Sequence, residues 1–197
     1  MATRSTRPGV VIAAFAISLA IGLMGVLFLV GGFRNNAPVS SIGGPFQLPD
    51  QTGATVTEKS LQGKPTLMFF GYTHCPDVCP TSLFEMSEVL RAMGSDADRV
   101  NAYFITVDPE RDTQSVMKDY LQSFDPHLKG LSGSPDAVAK VIKEYRVYAK
   151  KIPSKDGDYT MDHTAAVYLL DREGRFVAPF NLKQTPQQAA ADLKRYF

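Results

Sequence analysis

The chain has 197 residues, with 21 Lys and Arg against 20 Asp and Glu, a formal net charge of +1 and 44% apolar residues. So even a charge balance gives no electrostatic footing for nucleic acid, and two cysteines are too few for the disulfide framework of a small secreted domain. No internal repeat or low-complexity tract interrupts a length that suits one compact domain.

Val10–Val30 is a run of 21 uncharged residues rich in Ala, Ile, Leu and Val, enough for a helix to span a hydrocarbon core of about 30 Å. Arg4 and Arg7 precede the run and only Arg34 follows it closely. The tail, residues 1–9, is therefore expected to stay in the cytoplasm, with everything beyond the run delivered to the other side. A cleaved signal peptide is the competing reading, but its apolar region is normally about 7–15 residues and ends at a small-residue site. Gly31-Gly32-Phe33-Arg34 is a poor site, which favours an uncleaved anchor over residues 10–30. Gly31–Gly44, rich in Gly, Asn, Pro and Ser, reads as a tether to a domain at residues 45–197.

Phe46–Val56 has the pattern of two short strands around an Asp/Thr/Gly turn. Gly63-Lys64-Pro65 breaks the chain before a strand at Thr66–Phe70. From Cys79 to Met93, Leu83, Met86, Val89, Leu90 and Met93 recur at helical spacing, and Pro80 suits a first turn. Val100–Val107 is a second β-rich run ending at Asp108-Pro109. A helix follows, capped by Asp112 or Thr113, with Val116, Met117, Tyr120, Leu121 and Phe124 inward. Ser134-Pro135-Asp136 opens another helix reaching about Tyr145. Ala165–Leu170, the turn Asp171–Gly174 and Arg175–Ala178 form a hairpin, and Thr185-Pro186 caps a last helix. This order is that of an α/β, thioredoxin-like sheet with an N-terminal hairpin and an insertion before the last two strands, preceded by one transmembrane helix.

Cys75 and Cys79, the only cysteines, follow the apolar strand and its glycine where a helix should begin. At i, i+4 on a first turn both sulfurs share one face. Two thiolates there chelate one ion, and the amide-rich helix start is expected to lower their pKa. The same spacing reaches the upper part of the disulfide range of about 4.4–6.8 Å between Cα atoms, so reversible oxidation stays open beside metal binding and beside an inert buried pair. Of the histidines, His74 reads as surface and His127 as solvated. His163 ends the polar stretch Lys150–Asp162, before an apolar strand, on a loop that folds over the helix start. That place suits closure of a Cys₂His site, although on position alone a structural histidine is the better reading.

Gly71-Tyr-Thr-His-Cys-Pro-Asp-Val-Cys-Pro80, Val107-Asp-Pro-Glu-Arg-Asp-Thr113 and Asp162-His-Thr-Ala-Ala-Val-Tyr-Leu-Leu-Asp171 together resemble the Sco/SenC family, over about residues 42–197. These are membrane-anchored, thioredoxin-like copper-binding proteins of cytochrome c oxidase assembly. The resemblance implies copper, Cu(I) or Cu(II), on Cys75, Cys79 and His163, with Asp108 supporting the site from outside the ligand set and Asp77 and Asp162 shaping the ligand loops. It implies as partner the copper-centre subunit of the oxidase, alongside another copper chaperone or a thiol reductant. The expected location is a bacterial inner membrane with the domain in the periplasm, a mitochondrial inner membrane being the alternative.

The donor chemistry agrees: two soft thiolates and an imidazole suit Cu(I) and accept Cu(II). Zinc competes, but no carboxylate is placed as the general base of a catalytic zinc site. A metallochaperone rather than an enzyme is the leading expectation. The alternative is a thiol–disulfide reductase acting on the oxidase subunit's cysteines, for which His163 is dispensable; a peroxidase using Cys75 is a third. Met86 and Met93 read as core, Met161 is not assigned as a ligand, and Lys150, Lys151 and Lys155 read as a solvated charge run rather than a docking patch.

Overall fold

The computed structural model describes residues 15, 17–25, 42–155 and 157–197. Residues 17–25 are helical, with Ile17, Leu19, Ile21, Leu23 and Met24 exposed. Among the described residues no helix is long and apolar enough to cross a membrane. Residues 10–14, 16 and 26–30 of the expected anchor and 31–41 of the expected tether lie outside the described residues.

In chain order the domain comprises β1 (Gln47–Pro49), β2 (Thr55–Thr57), β3 (Thr66–Gly71), α1 (Val78–Met93), β4 (Asn101–Thr106), α2 (Gln114–Leu121), β5 (Leu128–Leu131) and α3 (Pro135–Glu144). There follow β6 (Ala149–Pro153), β7 (Tyr159–His163), β8 (Val167–Leu170), β9 (Phe176–Pro179) and α4 (Pro186–Lys194). Five strands form one sheet in the order β5-β4-β3-β8-β9. β3, β4 and β5 run parallel, while β8 and β9 run antiparallel to their neighbours. Every residue of β3 is buried, as a central strand with both faces covered requires. The mixed sheet, with the cysteine-bearing helix following its central strand, fits the expected thioredoxin-like layout.

Local chemistry explains the element ends. Asp50 turns β1 into β2 by accepting from the Thr52 and Ala54 amides at 2.8 and 3.0 Å. Thr113 caps α2, Ser134 caps α3 ahead of Pro135, and Thr185 with Gln188 forms a capping box on α4 ahead of Pro186. Asp171 accepts from the Glu173 and Arg175 amides at 3.0 and 2.9 Å to turn β8 into β9. Leu83, Met86 and Leu90 of α1 are fully buried in the core, and Met93 is nearly so.

Four expectations are corrected. β5 is a strand where the expected order of elements had none, because pairing to β4 outweighs the glycine and lysine in Leu-Lys-Gly-Leu. The polar stretch before His163 is not a loop: β6 and β7 pair antiparallel over five residues, Ala149 opposite His163. A two-stranded hairpin outside the main sheet needs no apolar alternation, so the composition concealed it. His127 is not simply solvated; its Nδ1 lies 2.7 Å from Asp125 and its Nε2 3.3 Å from Asp98. Finally, α1 starts at Val78, leaving Cys75 in the turn before it rather than on its first turn.

Candidate metal centre

β3 delivers the chain to the carboxyl end of the sheet, where Gly71 lies opposite Thr106 of β4. The turn that follows curls back on itself: the Cys75 amide donates to the Tyr72 carbonyl at 3.3 Å, and the Cys79 amide points at the Cys75 sulfur at 3.4 Å. Both cysteines are free. A Cβ at position 71 would stand 2.7 Å from Cys79 Sγ and 2.9 Å from the Phe104 ring, so only glycine lets the sulfur lie against the strand.

The third donor arrives from the far side. His163 closes β7, and its Nε2 lies 3.5 Å from Cys79 Sγ. Its Nδ1 lies 3.1 Å from the Thr164 carbonyl oxygen. Because a carbonyl only accepts, that contact places the proton on Nδ1 and leaves the Nε2 lone pair facing the sulfur. Tyr72 and Phe69 wall the imidazole edge-on, with ring centroids at 5.8 and 6.4 Å. The donor atoms of Cys75, Cys79 and His163 all lie within 4.8 Å of one another, separations close to those of ligands around one ion.

Burial pushes the Cys79 thiol up, with the neighbouring Cys75 adding to the rise. This reverses the expectation that the helix start would lower it: Cys79 is fully buried, and loss of water outweighs the helix-terminal amides. Burial thus favours the neutral Cys79 thiol, and a metal ion held there would have to displace its proton.

The carboxylates divide. Asp108 is fully buried and accepts from the Tyr159 hydroxyl at 2.8 Å and from Arg111 Nε at 2.5 Å. Asp77 precedes α1, exposed and without a capping bond. Asp162 is exposed on β7 opposite Lys150. His74 is exposed and stays outside the donor set, 3.1 Å from the Thr73 hydroxyl. Lys151 binds Glu110 at 2.6 Å rather than standing free.

Three residues with no role in the sequence reading matter here. Asp112, considered only as a helix cap, is fully buried and accepts from the Thr73 amide at 3.1 Å, the Thr73 hydroxyl at 2.6 Å and the Thr106 hydroxyl at 2.7 Å. It thereby fixes the segment entering Cys75. Arg111 and Tyr159 tie β7 to the loop after β4. Arg111 and Asp112 stand in the charged run Asp108–Asp112 ahead of the Thr113 cap, whereas Tyr159 has no local signal in the sequence.

The family model described as SCO1/SenC matches residues 34–197. The chain belongs to the SCO1/SenC family. Among its relatives, the mitochondrial protein SCO1 homolog 1 of Arabidopsis thaliana is 43% identical over 143 residues, 72% of this chain and 43% of the relative. A SCO2-like protein of Rickettsia felis is 35% identical over 191 residues, 90% of this chain and 93% of the relative. The chain therefore spans under half of the plant protein and nearly all of the bacterial one. ScoI of Bradyrhizobium japonicum, solved with copper bound, is 78% identical with a TM-score of 0.78, over 79% of this chain and 99% of that one. Yeast Sco1, also solved with copper bound, is 37% identical with a TM-score of 0.71, over 79% of this chain and 87% of that one.

Proposed function

We propose that this Sco/SenC protein binds copper on Cys75 Sγ, Cys79 Sγ and His163 Nε2 and delivers it to the copper centre of cytochrome c oxidase. The observation that carries the reading is the convergence of those three donors within 4.8 Å from segments 84 residues apart. Two thiolates and one imidazole match the preferences of Cu(I) and tolerate Cu(II). Relatives solved with copper bound support the choice of ion.

In this reading copper is cargo. Cys79 gives up its proton as the ion enters, and the Thr164 carbonyl keeps the His163 tautomer with Nε2 unprotonated. Release proceeds stepwise, with His163 leaving first because it arrives on a hairpin outside the main sheet. Asp108 supports the site through Tyr159, and Asp77 and Asp162 shape the segments that carry the ligands. The apolar run Val10–Val30 anchors the domain to a bacterial inner membrane on its periplasmic side. The exposed apolar side chains of residues 17–24 are consistent with that setting.

Mixing the copper-loaded chain with the metal-free copper-centre domain of the oxidase tests delivery. Copper should move to the oxidase domain, and a domain that stays metal-free contradicts the proposal. A second reading, reduction of the oxidase subunit's cysteines, is favoured by the two free sulfurs lying within 4.8 Å of each other. It predicts that His163→Ala still reduces the oxidised oxidase domain.

A further inference from the structure

The β6–β7 hairpin is a two-stranded sheet of its own, with no strand pairing to the five-stranded sheet among the described residues. Side chains attach it near Tyr159 to the loop between β4 and α2. Arg111 Nε meets Asp108, while Arg111 Nη1 donates to the Tyr159 carbonyl at 3.0 Å and to Asp158 at 3.1 Å. The guanidinium lies 3.8 Å from the Tyr159 ring centroid, and the Tyr159 hydroxyl returns to Asp108 at 2.8 Å. The same guanidinium lies 5.7 Å from the Tyr72 ring, which packs edge-on against His163 at 5.8 Å. Asp108 is fully buried and Arg111 largely so, at 17% side-chain exposure, so the bond between them is little weakened by solvent, while Asp158 is exposed.

We infer that Arg111 is a positioning residue, the clasp that holds β7 in place and so sets how firmly His163 is presented to the metal. The inference rests on the copper site proposed above and adds what governs release. One planar group makes the bonds to Asp108, Asp158 and the β7 backbone at once while stacking on Tyr159. Lysine keeps the charge but lacks the fork and the flat face. Arg111 touches no ligand atom; it acts through the hairpin.

The test uses the full chain in detergent, as wild type, Arg111→Lys and Tyr159→Phe, each with and without His163→Ala. In metal-free protein, Arg111→Lys should speed amide exchange across residues 149–163 by about tenfold, as expected for loss of charge-assisted hydrogen bonds, while β3 and β4 keep their rates. In copper-loaded protein, it should leave stoichiometry unchanged and speed copper loss to a Cu(I) chelator by a similar factor. On the His163→Ala background the same substitution should add nothing to the release rate, because the clasp acts only through the imidazole. Tyr159→Phe, which removes a single hydroxyl, should shift both readouts in the same direction and carries the test if Arg111→Lys does not fold. Unchanged hairpin exchange in a chain that holds copper overturns the clasp alone. Equal acceleration of release with and without His163 overturns it too, by showing a general loosening. A wild-type chain that holds no copper overturns the copper site and the release role together.

Discussion

Cys79 Sγ stands 3.5 Å from His163 Nε2, a contact between residues 84 positions apart in the chain. Each partner is held by a different device. Cys79 is pinned by packing, since its sulfur lies against the bare Cα of Gly71 at the end of the central strand. His163 is held by hydrogen bonds and ring contacts on a hairpin that the main sheet does not include. Under the delivery proposed above, Cys79 is the donor fixed by packing and His163 the one that leaves first.

Gly71→Ala tests the rigid half. The added methyl group meets Cys79 Sγ and Phe104 inside ordinary contact distance, so the sulfur or the ring must shift. Overpacking of this kind should lower stability by about 1–3 kcal/mol and weaken copper binding, read by urea unfolding and copper titration. A variant with wild-type stability and affinity would show that the close approach is not a constraint.

Asp112→Ala tests what holds the segment before Cys75. The substitution leaves the Thr73 amide, the half-buried Thr73 hydroxyl and the buried Thr106 hydroxyl without their acceptor, at a cost of about 2–3 kcal/mol. Denaturant unfolding should show that loss, and amide exchange at Thr73 should quicken. If Thr73 stays protected at the wild-type level, Asp112 is not what fixes the turn.

His127, beside Asp125 and Asp98, gives stability a pH dependence. The hydrogen bond that His127 donates to Asp125, helped by Asp98, raises its pKa above the ordinary 6.5. The folded state therefore binds the proton more tightly than the unfolded chain. The resulting stabilisation is complete below the unfolded value near 6.5 and is lost as pH rises through the higher folded value. His127→Gln should lower the urea midpoint more at pH 5.5 than at pH 9. A larger loss at pH 9 would reverse the sign and contradict the pairing.

Much of this was legible in the residues, for identifiable reasons. Two cysteines on an apolar strand-to-helix junction advertise themselves, and Leu83, Met86, Leu90 and Met93 mark the buried face of α1 by period alone. His163 was different. Its position favoured a structural role, and only the resemblance of its block to the Sco/SenC family raised it to a ligand. The bracing around it left less trace. Tyr159 lies 51 positions from Asp108, and Thr73 lies 39 from Asp112, and no local period records contacts across such spans. The hairpin carrying His163 was concealed for a different reason, since its strands satisfy each other and carry no apolar alternation to mark them.

The most direct test of the central claim is copper binding by the reduced full chain in detergent beside His163→Ala, followed by stoichiometry and the thiolate-to-Cu(II) absorption band. One copper per wild-type chain is expected, with the band lost or copper held far more weakly in the variant. Equal binding by both proteins, or none by either, would contradict the three-donor site and return Cys75 and Cys79 to dithiol chemistry.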